Sequence, residues 1–596
     1  MTSATPEPPS STPPNWPHCG RGATTSDPVG CRGVHVTGHA VCLSHLRETE
    51  RAAYLATLTP GADIDHRGTS FTACLLRRLL DAVRDPTAGH PRLGHAQFDA
   101  TTFTQGAQFG ATVFTRSAHF SGANFAHGAQ FSRAFFTGAA WFGGATFARN
   151  AHFGEVVFAR GAKFTRATFT RGAWFNRATF TRDAWFGGAS FARDAQFNGA
   201  MFTRDAYFGG ARFTGDAQFG GARFEAAPRL GPLVCGQTLV LDGAVFETPV
   251  MVEAAARAVT CGRTRWASVA TMRLRYSELD LSDAVLEYPL TVTARPEPFL
   301  SPPNGQLAET SLSDRNPDVR LKTVDGVDAA HLVLHDVALG TCRFAGAIHL
   351  DQLRVDGWCT FATTPVGTRW HRMLPRWWSR RSTLAEEHHW RAQRLSPLLA
   401  RGWTPPPENA LVLKPAALAA LYRQLRKSLE DGKNEPDAAD FYYGEMEMRR
   451  HDVTRPLSER VLLAAYWALS GYGLRATRAL AWLLSAMAAT LLALLLWGVP
   501  VNDPKPETTG RQVGIGQDIT LTTDTPAPAN PTGPWAERVT GKRCEKALRV
   551  VINSVIFRSS GQELTTAGTY TEMTSRLAEP VLLGLAALAI RGRVKR

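Results

Sequence analysis

Three cysteines and one histidine near the N-terminus have the side chains and spacing of a metal site. The segment HCGRGATTSDPVGCRGVHVTGHAVCLSHL places Cys19, Cys31, Cys42 and His45 in a short, glycine-rich stretch. Three thiolates and one imidazole suit tetrahedral zinc, and a segment this poor in apolar residues would gain its fold from the metal. The sequence therefore predicts one Zn²⁺ held by these four residues.

The ligand assignment has alternatives. Only the C-x-x-H half of the set has a tight ligand spacing, and His18, His35 and His39 are alternative fourth ligands. A competing interpretation is a group of ordinary buried thiols beside a histidine at a helix start. No acid, base or nucleophile accompanies the cluster, and the chain has no recognisable pair of catalytic carboxylates, Ser/His/Asp set or phosphate loop. We therefore predict that the protein is not an enzyme.

The chain that must position this cluster is long and basic. Its 596 residues exceed one ordinary core, so three or more units are expected. A formal charge of +14 favours anionic surroundings, either acidic lipid or nucleic acid. The nine cysteines are scattered, which argues against a small disulfide scaffold and for a reducing compartment. Residues 1–17, rich in Pro, Ser and Thr, predict a disordered leader and no signal peptide.

An 11-residue repeat of phenylalanine dominates residues 98–224. Two interleaved series, five and six residues apart, hold Phe at all 24 positions, and Ala stands two residues before it in 21 of them. The first series is Phe98, Phe109, Phe120, Phe131, Phe142, Phe153, Phe164, Phe175, Phe186, Phe197, Phe208 and Phe219. The second is Phe103, Phe114, Phe125, Phe136, Phe147, Phe158, Phe169, Phe180, Phe191, Phe202, Phe213 and Phe224.

This repeat fits short strands better than a helix. An 11-residue period also occurs in right-handed coiled coils, but at about 100° per residue the two Phe series would face opposite sides of a helix. The segment is also poor in the helix formers Leu, Glu and Lys. In a strand, residues i and i−2 point the same way, so each A-x-F unit sends Ala and Phe inward together. The pattern predicts a β-solenoid with Phe stacked along its axis.

The A-x-F units resemble those of the pentapeptide-repeat family, whose A-x-[LF]-x-x units form a right-handed, four-sided β-helix. The resemblance covers residues 96–224 and departs from the plainest pattern by an extra residue in every second link. It implies four sides over roughly 22 residues per coil, so that nearly six coils make a rod about 28 Å long at roughly 4.8 Å per coil. Some family members mimic duplex DNA and protect gyrase with an acidic rod. This rod carries more Arg than Asp and Glu, so DNA mimicry is disfavoured.

Arginine recurs in the wider links of the repeat. Because one coil would hold two repeats, these arginines fall into two ladders on opposite edges, and Asp183, Asp194 and Asp205 follow directly after Arg. One interpretation is solvated corners with mixed-sign pairs. The other is a basic stripe for an anionic partner. The ladder residues are Arg116, Arg149, Arg160, Arg171, Arg182, Arg193 and Arg204.

The repeat decays after Phe224, and the chain then changes character. Residues 235–361 keep a weaker five-and-six spacing, interrupted by the proline-rich stretch ARPEPFLSPPNG. We therefore predict a mainly β protein with C-terminal helices. Its domains are a leader (1–17), a zinc knuckle with a helical cap (18–93), the β-helix (94–228), degenerate coils (229–365), an Arg/Trp-rich segment with amphipathic helices (366–478), a transmembrane helix (479–501), an extracytoplasmic loop (502–545), and a pore-loop-like helix with a second transmembrane helix (546–596).

Several C-terminal segments predict a membrane location. Residues 366–403 hold eight Arg and five Trp, which suits a membrane interface, nucleic acid or a structural groove. Two amphipathic helices are expected around a turn at 432–436. The stretch ALAWLLSAMAATLLALLLWGVPV, residues 479–501, has no charge and is long enough to cross a hydrocarbon core of about 30 Å. A second span, LAEPVLLGLAALAI at 577–590, is short and contains Glu579 and Pro580.

The charged flanks of these spans predict their orientation. Arg475 and Arg478 precede the first span, and the chain closes with RGRVKR after the second. By the positive-inside rule both flanks belong in the cytoplasm, with the loop from about 502 to 540 outside. We therefore expect an integral protein of the cytoplasmic membrane with both termini and the β-helix in the cytoplasm.

The tail resembles that of membrane-anchored pentapeptide-repeat proteins of actinomycete type, and its layout is similar to two-span pore-loop channels. ALRVVINSVIFRSSGQELTTAGTYTEM occupies the position of pore helix and filter, without a TVGYG-like run of carbonyls. Two functions follow: a scaffold for a protein partner, or a channel-like protein with a regulatory solenoid. The sequence does not identify the partner or the oligomeric state; anionic lipid is compatible as a partner, nucleic acid is not expected, and Zn²⁺ is the only cofactor predicted.

Overall fold

The computed structural model describes residues 12–300, 305–366, 368–371, 374–377, 380–395, 400–408, 410–501, 505–511, 514–516, 518–556 and 558–594. For 368–371, 374–377 and 592–594 this description covers the backbone alone. The chain forms two compact units: Met1–Val412 with Gln424–Asn434, and Leu413–Arg423 with Glu435–Arg596. Residues 1–11 of the predicted leader, and residues 367, 372–373, 378–379 and 396–399 of the Arg/Trp-rich segment, lie outside the described residues.

The first unit is a β-solenoid of about 12 turns. In residues 102–224 each coil carries four short strands, one on each face, and each strand pairs in parallel with the strand of the same face in the next coil, as Phe147 does with Phe169. We name the faces A to D in chain order. Face A consists of Thr102–Phe103, Asn124–Phe125, Thr146–Phe147, Thr168–Phe169, Ser190–Phe191 and Arg212–Phe213. Face B consists of Ala107–Gln108, Ala129–Gln130, Ala151–His152, Ala173–Trp174, Ala195–Gln196 and Ala217–Gln218.

Faces C and D form the other two sides of the four-sided solenoid. Face C consists of Val113–Phe114, Phe135–Phe136, Val157–Phe158, Thr179–Phe180, Met201–Phe202 and Arg223–Phe224. Face D consists of Ala118–His119, Ala140–Trp141, Ala162–Lys163, Ala184–Trp185 and Ala206–Tyr207. Faces A and B belong to a 21-stranded sheet, and faces C and D belong to a 16-stranded sheet.

Phenylalanine rings fill the interior, as the A-x-F pattern predicts. All 24 are at most 2% exposed. Rings on the same face of successive coils stack face to face, for example Phe142 on Phe164 with centroids 4.8 Å apart. Consecutive rings of the first series meet edge to face, for example Phe131 and Phe142 at 5.4 Å. The alternation of stacked and T-shaped contacts satisfies the aromatic quadrupoles while the small Ala side chains leave room for the rings.

The two link lengths make two kinds of corner. The two-residue links close with a backbone hydrogen bond, as from Ala189 N to Phe186 O at 3.0 Å, and their second residue is left-handed even where it is not glycine, as at Arg166 and Arg177, both with φ of 55°. The three-residue links often begin with Thr, whose hydroxyl donates to a Phe carbonyl of the previous coil, as from Thr181 to Phe158 O at 3.0 Å. These bonds satisfy the backbone groups that the turns leave unpaired.

The solenoid continues through the predicted degenerate region with a changed cross-section. Arg229–Val240 and Val250–Thr260 are long strands that run across a former corner. The coil also becomes shorter, because Val245 pairs with Arg265 and Arg265 with Val285. The remaining strands of this region are Val245–Phe246, Arg265–Trp266, Ala270–Arg275, Glu278–Asp280, Val285–Leu286, Leu290–Ala294, Arg320–Thr323, Leu332–His335 and Arg354–Asp356, with 3₁₀ turns at Thr310–Leu312, Ala329–His331 and Leu350–Gln352.

Helices close both ends of the solenoid. At the start, α1 (Glu48–Ala56) and α2 (Ala73–Ala82) accompany the first strands, Ala62–Asp65, Ser70–Phe71 and Arg92–Gln97. The buried His66 meets the first interior ring, Phe71, at 5.7 Å between centroids. At the other end, α3 (Ala385–Arg394) places Glu386 Oε1 2.6 Å from Phe344 N, which satisfies a donor at the last coils. Capped ends protect strand edges that would otherwise pair with another chain.

The second unit is helical. Its described helices are α4 (Pro415–Asp431, which both units share), α5 (Glu435–His451), α6 (Leu457–Ser470), α7 (Ala476–Ala493, extended by a π turn, Leu494–Gly498), α8 (Trp535–Arg538), α9 (Gly541–Val555) and α10 (Thr566–Val594). The described part of the chain also contains three antiparallel strand pairs: Ala362–Thr363 with Ser382–Thr383, Thr368–His371 with Leu374–Trp377, and Glu507–Gly510 with Leu521–Asp524. The helices α4 and α5 flank the expected turn, and Phe441 packs on Tyr422 at 5.3 Å.

Candidate functional site

The structure brings the four predicted metal ligands together. The ligand atoms of Cys19, Cys31, Cys42 and His45 all lie within 4.8 Å of one another. His45 Nδ1 is 3.4 Å from the Sγ atoms of Cys19 and Cys42, and the Sγ atoms of Cys31 and Cys42 are 3.6 Å apart. That Sγ separation is too long for a disulfide and is what two thiolates at about 2.3 Å from one tetrahedral zinc ion require. The cluster could hold a zinc ion.

Two local elements position these ligands. Residues 19–20 pair with residues 31–33 through hydrogen bonds from Cys19 N to Gly33 O and from Gly20 N to Cys31 O, both 2.8 Å, which set two cysteines side by side. The 3₁₀ turn Leu43–His45 then brings His45 back to Cys42. His18, His35 and His39 are not part of the group of ligand atoms.

The thiols of the cluster are electrostatically coupled. A hydrogen bond with Cys31, helped by Ser44 and His45, lowers the pKa of Cys42 to about 4. The same contact with Cys42 raises the pKa of Cys31, together with burial. One thiolate in the group is therefore stabilised before any metal binds, and thiolates are the form that binds zinc. All four positions of a tetrahedron are filled by protein atoms, so the arrangement suits a structural ion.

The arginine ladders lie where the repeat predicts. Arg149, Arg171 and Arg193 follow face A, and Arg160, Arg182 and Arg204 follow face C, so the ladders stand on opposite edges. All six side chains are exposed, and in the described solenoid none of them forms an ion pair. Arg116 pairs with Asp63 at 2.9 Å instead. Among the described residues the mixed-sign pairs within the corners do not form; Asp194 Oδ1 instead accepts a hydrogen bond from Asp216 N at 3.0 Å.

An aromatic column on face D was not predicted. His119 stacks on Trp141 at 5.7 Å, and Lys163 Nζ lies 4.0 Å from the ring centre of Trp141 and 5.1 Å from that of Trp185. The only sequence signal is the identity of the middle residue of A-x-F at every second unit, which spacing arguments ignore. These cation–π contacts stabilise neighbouring coils on the outside of the rod.

Among the residues that the structure describes, two helices are long and apolar enough to cross a membrane: Ala476–Gly498 and Thr566–Arg591. The first lies three residues earlier than predicted, and the second begins at Thr566, well before the predicted 577. Only 28% of each apolar window is buried within the protein, whereas the core helix of a soluble protein would be mostly buried. The helices pack antiparallel, with Gly498 against Gly568 at one end.

Glu579 lies buried among three helices of this unit. Its carboxyl group is 0% exposed, accepts a hydrogen bond from Thr490 of α7 at 2.9 Å, and bonds to Ser554 at the end of α9. In the sequence, Glu579 is a charged residue within the otherwise apolar second span. In the structure its polar group faces protein hydroxyls, which is how ionisable residues are tolerated inside a membrane.

Side chains from outside α7 satisfy the carbonyls at its end. Arg543 donates to Leu495 O at 3.0 Å and to Val499 O at 2.7 Å, and Arg538 donates to Leu496 O at 3.0 Å. Thr565 Oγ1 donates to Trp497 O at 2.6 Å. Helix ends leave such carbonyls without intrahelical partners, so these bonds fix α8, α9 and the segment before α10 to the end of α7.

The chain thus combines a capped parallel β-solenoid with a helical unit that contains two candidate membrane spans. A family model for pentapeptide repeats (9 copies) matches residues 122–168, 142–190, 153–201 and 186–231. Residues 122–231 of the solenoid are therefore pentapeptide repeats, which confirms the resemblance drawn from the A-x-F units. No curated protein and no solved structure matches the chain.

Proposed function

We propose that the protein is a membrane-integral, non-catalytic scaffold that offers its solenoid to a protein partner at the cytoplasmic face of the membrane. Pentapeptide-repeat solenoids are generally non-catalytic. The observation that carries the proposal is the pair of arginine ladders, whose six exposed guanidinium groups make no ion pair within the described solenoid. A rigid row of such donors suits an acidic protein surface.

The structural part of this proposal includes one Zn²⁺ at Cys19, Cys31, Cys42 and His45. The ion would fix a loop-rich segment that has few apolar side chains of its own. Three further expectations belong to the proposal: anchoring by Ala476–Gly498 and Thr566–Arg591, both termini in the cytoplasm, and no role in DNA mimicry, because the ladders are basic.

The scaffold is tested by crosslinking in native membranes with variants of one ladder at a time. One variant carries Arg160→Gln, Arg182→Gln and Arg204→Gln, and the other carries Arg149→Gln, Arg171→Gln and Arg193→Gln. Because these side chains are exposed, both variants should fold as the wild type does. A protein crosslinked to the wild type and lost from one variant supports the scaffold. Equal crosslinking of all three chains contradicts a role for the ladders.

A second candidate function, a pore-loop channel, has one specific observation in its favour. The helix α9 starts near the end of α7. Near its own end, Ser554 bonds Glu579 in the middle of α10. The chain then returns to Thr565, which lies beside the end of α7. This descent and return resembles a pore loop, and rings of carboxylates select cations in some channels. The exposed Glu563 lies on the returning segment.

Conductance of the purified protein in planar bilayers distinguishes the two functions. A channel predicts selective current that Glu563→Gln reduces, whereas the matched change Glu545→Gln, on the exposed face of α9, should leave it unchanged. If the correctly inserted protein carries no current, the result contradicts the channel and favours the scaffold.

A further inference from the structure

A cavity of about 470 Å³ lies between the last coils of the solenoid and helix α3. Strands Glu278–Asp280 and Arg320–Thr323 and residues 340–343 form one side, and Ala385, His389 and residues 404–407 form the other. This volume is within the range of small-molecule sites. Neither the metal cluster nor the arginine ladders lie here, so the proposed scaffold function does not account for the cavity.

The charges that line the cavity leave two arginines without close ion-pair partners among the described residues. Lys322 Nζ lies 3.3 Å from Asp280 Oδ2, so this pair is largely neutralised. The nearest ion-pair partner of Arg343 is Asp325, at 3.9 Å, and Arg320 forms no ion pair in the described part of the chain. Glu278 also lines the cavity, so its lining residues carry three cationic side chains, Arg320, Lys322 and Arg343, and two carboxylates, Glu278 and Asp280.

The wall of the cavity also contains a buried histidine. His389 is 8% exposed, and no hydrogen bond to its ring is found among the described residues. Burial, with a smaller contribution from Arg343, lowers the pKa of His389, so the ring is neutral near pH 7 and has one donor and one acceptor nitrogen. The adjacent His388 is bonded by Thr383 and Thr404, at 3.0 Å and 3.4 Å. The ring nitrogens of His389 are therefore available to hydrogen-bond a ligand in the cavity.

We propose that this cavity binds a small molecule that carries a phosphate group on an apolar body. Arg320 and Arg343 supply the planar donors that match phosphate oxygens. The ring of His389 and the hydroxyl of Thr341 supply neutral hydrogen bonds. Ala385, Pro405 and Pro407 offer apolar surface for the rest of the molecule.

Calorimetric titration of the full chain in detergent tests the site with three probes of similar size. Phenyl phosphate is the expected ligand, benzoate carries a carboxylate, and phenol carries no charge. Phenyl phosphate should bind in the millimolar range or tighter and should slow backbone hydrogen exchange in Ala385–Arg394. No binding of phenyl phosphate overturns the proposal, and so does tighter binding of benzoate or phenol.

Variants locate the binding. Arg343→Gln and Arg320→Gln should each weaken phenyl phosphate by about tenfold or more, which corresponds to about 1.4 kcal/mol. Arg354→Gln, an exposed arginine on a neighbouring strand outside the cavity, should bind as the wild type does. Two separate arginine variants guard against one that fails to fold. Unchanged affinity in both folded arginine variants would overturn the assignment of the site.

Discussion

Each interior phenylalanine is held by rings above, below and across the solenoid. Phe164 stacks on Phe142 and Phe186 at 4.8 Å and 5.0 Å and meets Phe153 and Phe175 edge to face at 5.4 Å and 5.3 Å. Its environment is repeated along the rod, so no single ring is special. The interior is nevertheless close-packed, and a missing ring leaves a cavity that the rigid neighbours do not fill.

Phe164→Ala should therefore lower the free energy of unfolding by about 3–5 kcal/mol. Met201→Ala, on the outer side of face C and 38% exposed, is the matched control and should cost less than about 0.5 kcal/mol. Denaturant unfolding followed by far-ultraviolet circular dichroism measures both. Equal costs for the two variants would show that the stacked interior does not limit stability.

The cysteine cluster makes a prediction about metal content. Purified protein should contain about one zinc per chain. Cys42→Ser should abolish this content, because Cys42 contacts both Cys31 and His45, whereas Cys74→Ser, at an exposed cysteine of α2, should retain it. Elemental analysis after gel filtration gives the result. A metal-free wild type with an equally protected N-terminal segment in hydrogen exchange would refute the site.

At the scale of elements, the end caps determine how the rod terminates. His66 in the N-terminal cap is fully buried among Tyr54, Phe71 and Phe98, and burial lowers its pKa from 6.5 to about 4. The unfolded chain therefore binds a proton at higher pH than the folded chain does. Stability from the neutral ring is complete above about pH 6.5 and is lost as the pH falls towards 4.

This linkage predicts an acid-sensitive cap. Between pH 6.5 and 4 the wild type should lose up to about 3 kcal/mol that His66→Leu does not lose, because leucine has no proton to gain. Unfolding free energies of both chains at several pH values provide the measurement. Parallel pH profiles would exclude His66 as the source.

The C-terminal cap depends on a buried ion cluster. Glu387, which is 0% exposed, bonds Arg381 and Arg391 at 2.6 Å each. Glu387→Gln leaves two buried guanidinium charges short of a carboxylate, so it should destabilise α3 by about 3–5 kcal/mol. Hydrogen exchange should rise in the last coils, near Arg354–Asp356, and stay unchanged around Phe164. The exposed change Glu408→Gln is the control; uniform loss of protection along the solenoid would contradict a local cap.

At the scale of the whole molecule, the two candidate spans predict that the protein is integral to a membrane. Ala476–Gly498 and Thr566–Arg591 should keep the protein in the pellet after alkaline carbonate extraction. Reporters at both termini should be active in the cytoplasm, because Arg475 and Arg478 lie at the start of the first span and Arg591 ends the second. A reporter inserted near residue 527 should be active outside. An externally active C-terminal reporter would overturn the hairpin arrangement.

Much of the fold is predictable from the sequence because the repeat is local. Each A-x-F unit encodes its own strand, its inward face and its corner, and the pattern recurs with Phe at 24 positions, 21 of which have Ala two residues before. The grouping of Cys19, Cys31, Cys42 and His45 is also predictable, since these residue types lie close together in the chain. The left-handed conformation of Arg166 and Arg177 is not predictable, because only pairing with neighbouring coils holds a non-glycine residue there.

The sequence by itself determined the solenoid, its phenylalanine interior, the two arginine edges and the first apolar span. Tertiary structure alone decided what meets across long separations: Glu579 with Thr490 and Ser554, Arg543 with the end of α7, and the cavity beside His389. The physical reason is the distance along the chain over which each interaction acts. Repeat spacing and hydrophobicity act between residues a few positions apart, whereas a buried polar group finds its partner anywhere in the chain, and only the packed structure shows which one.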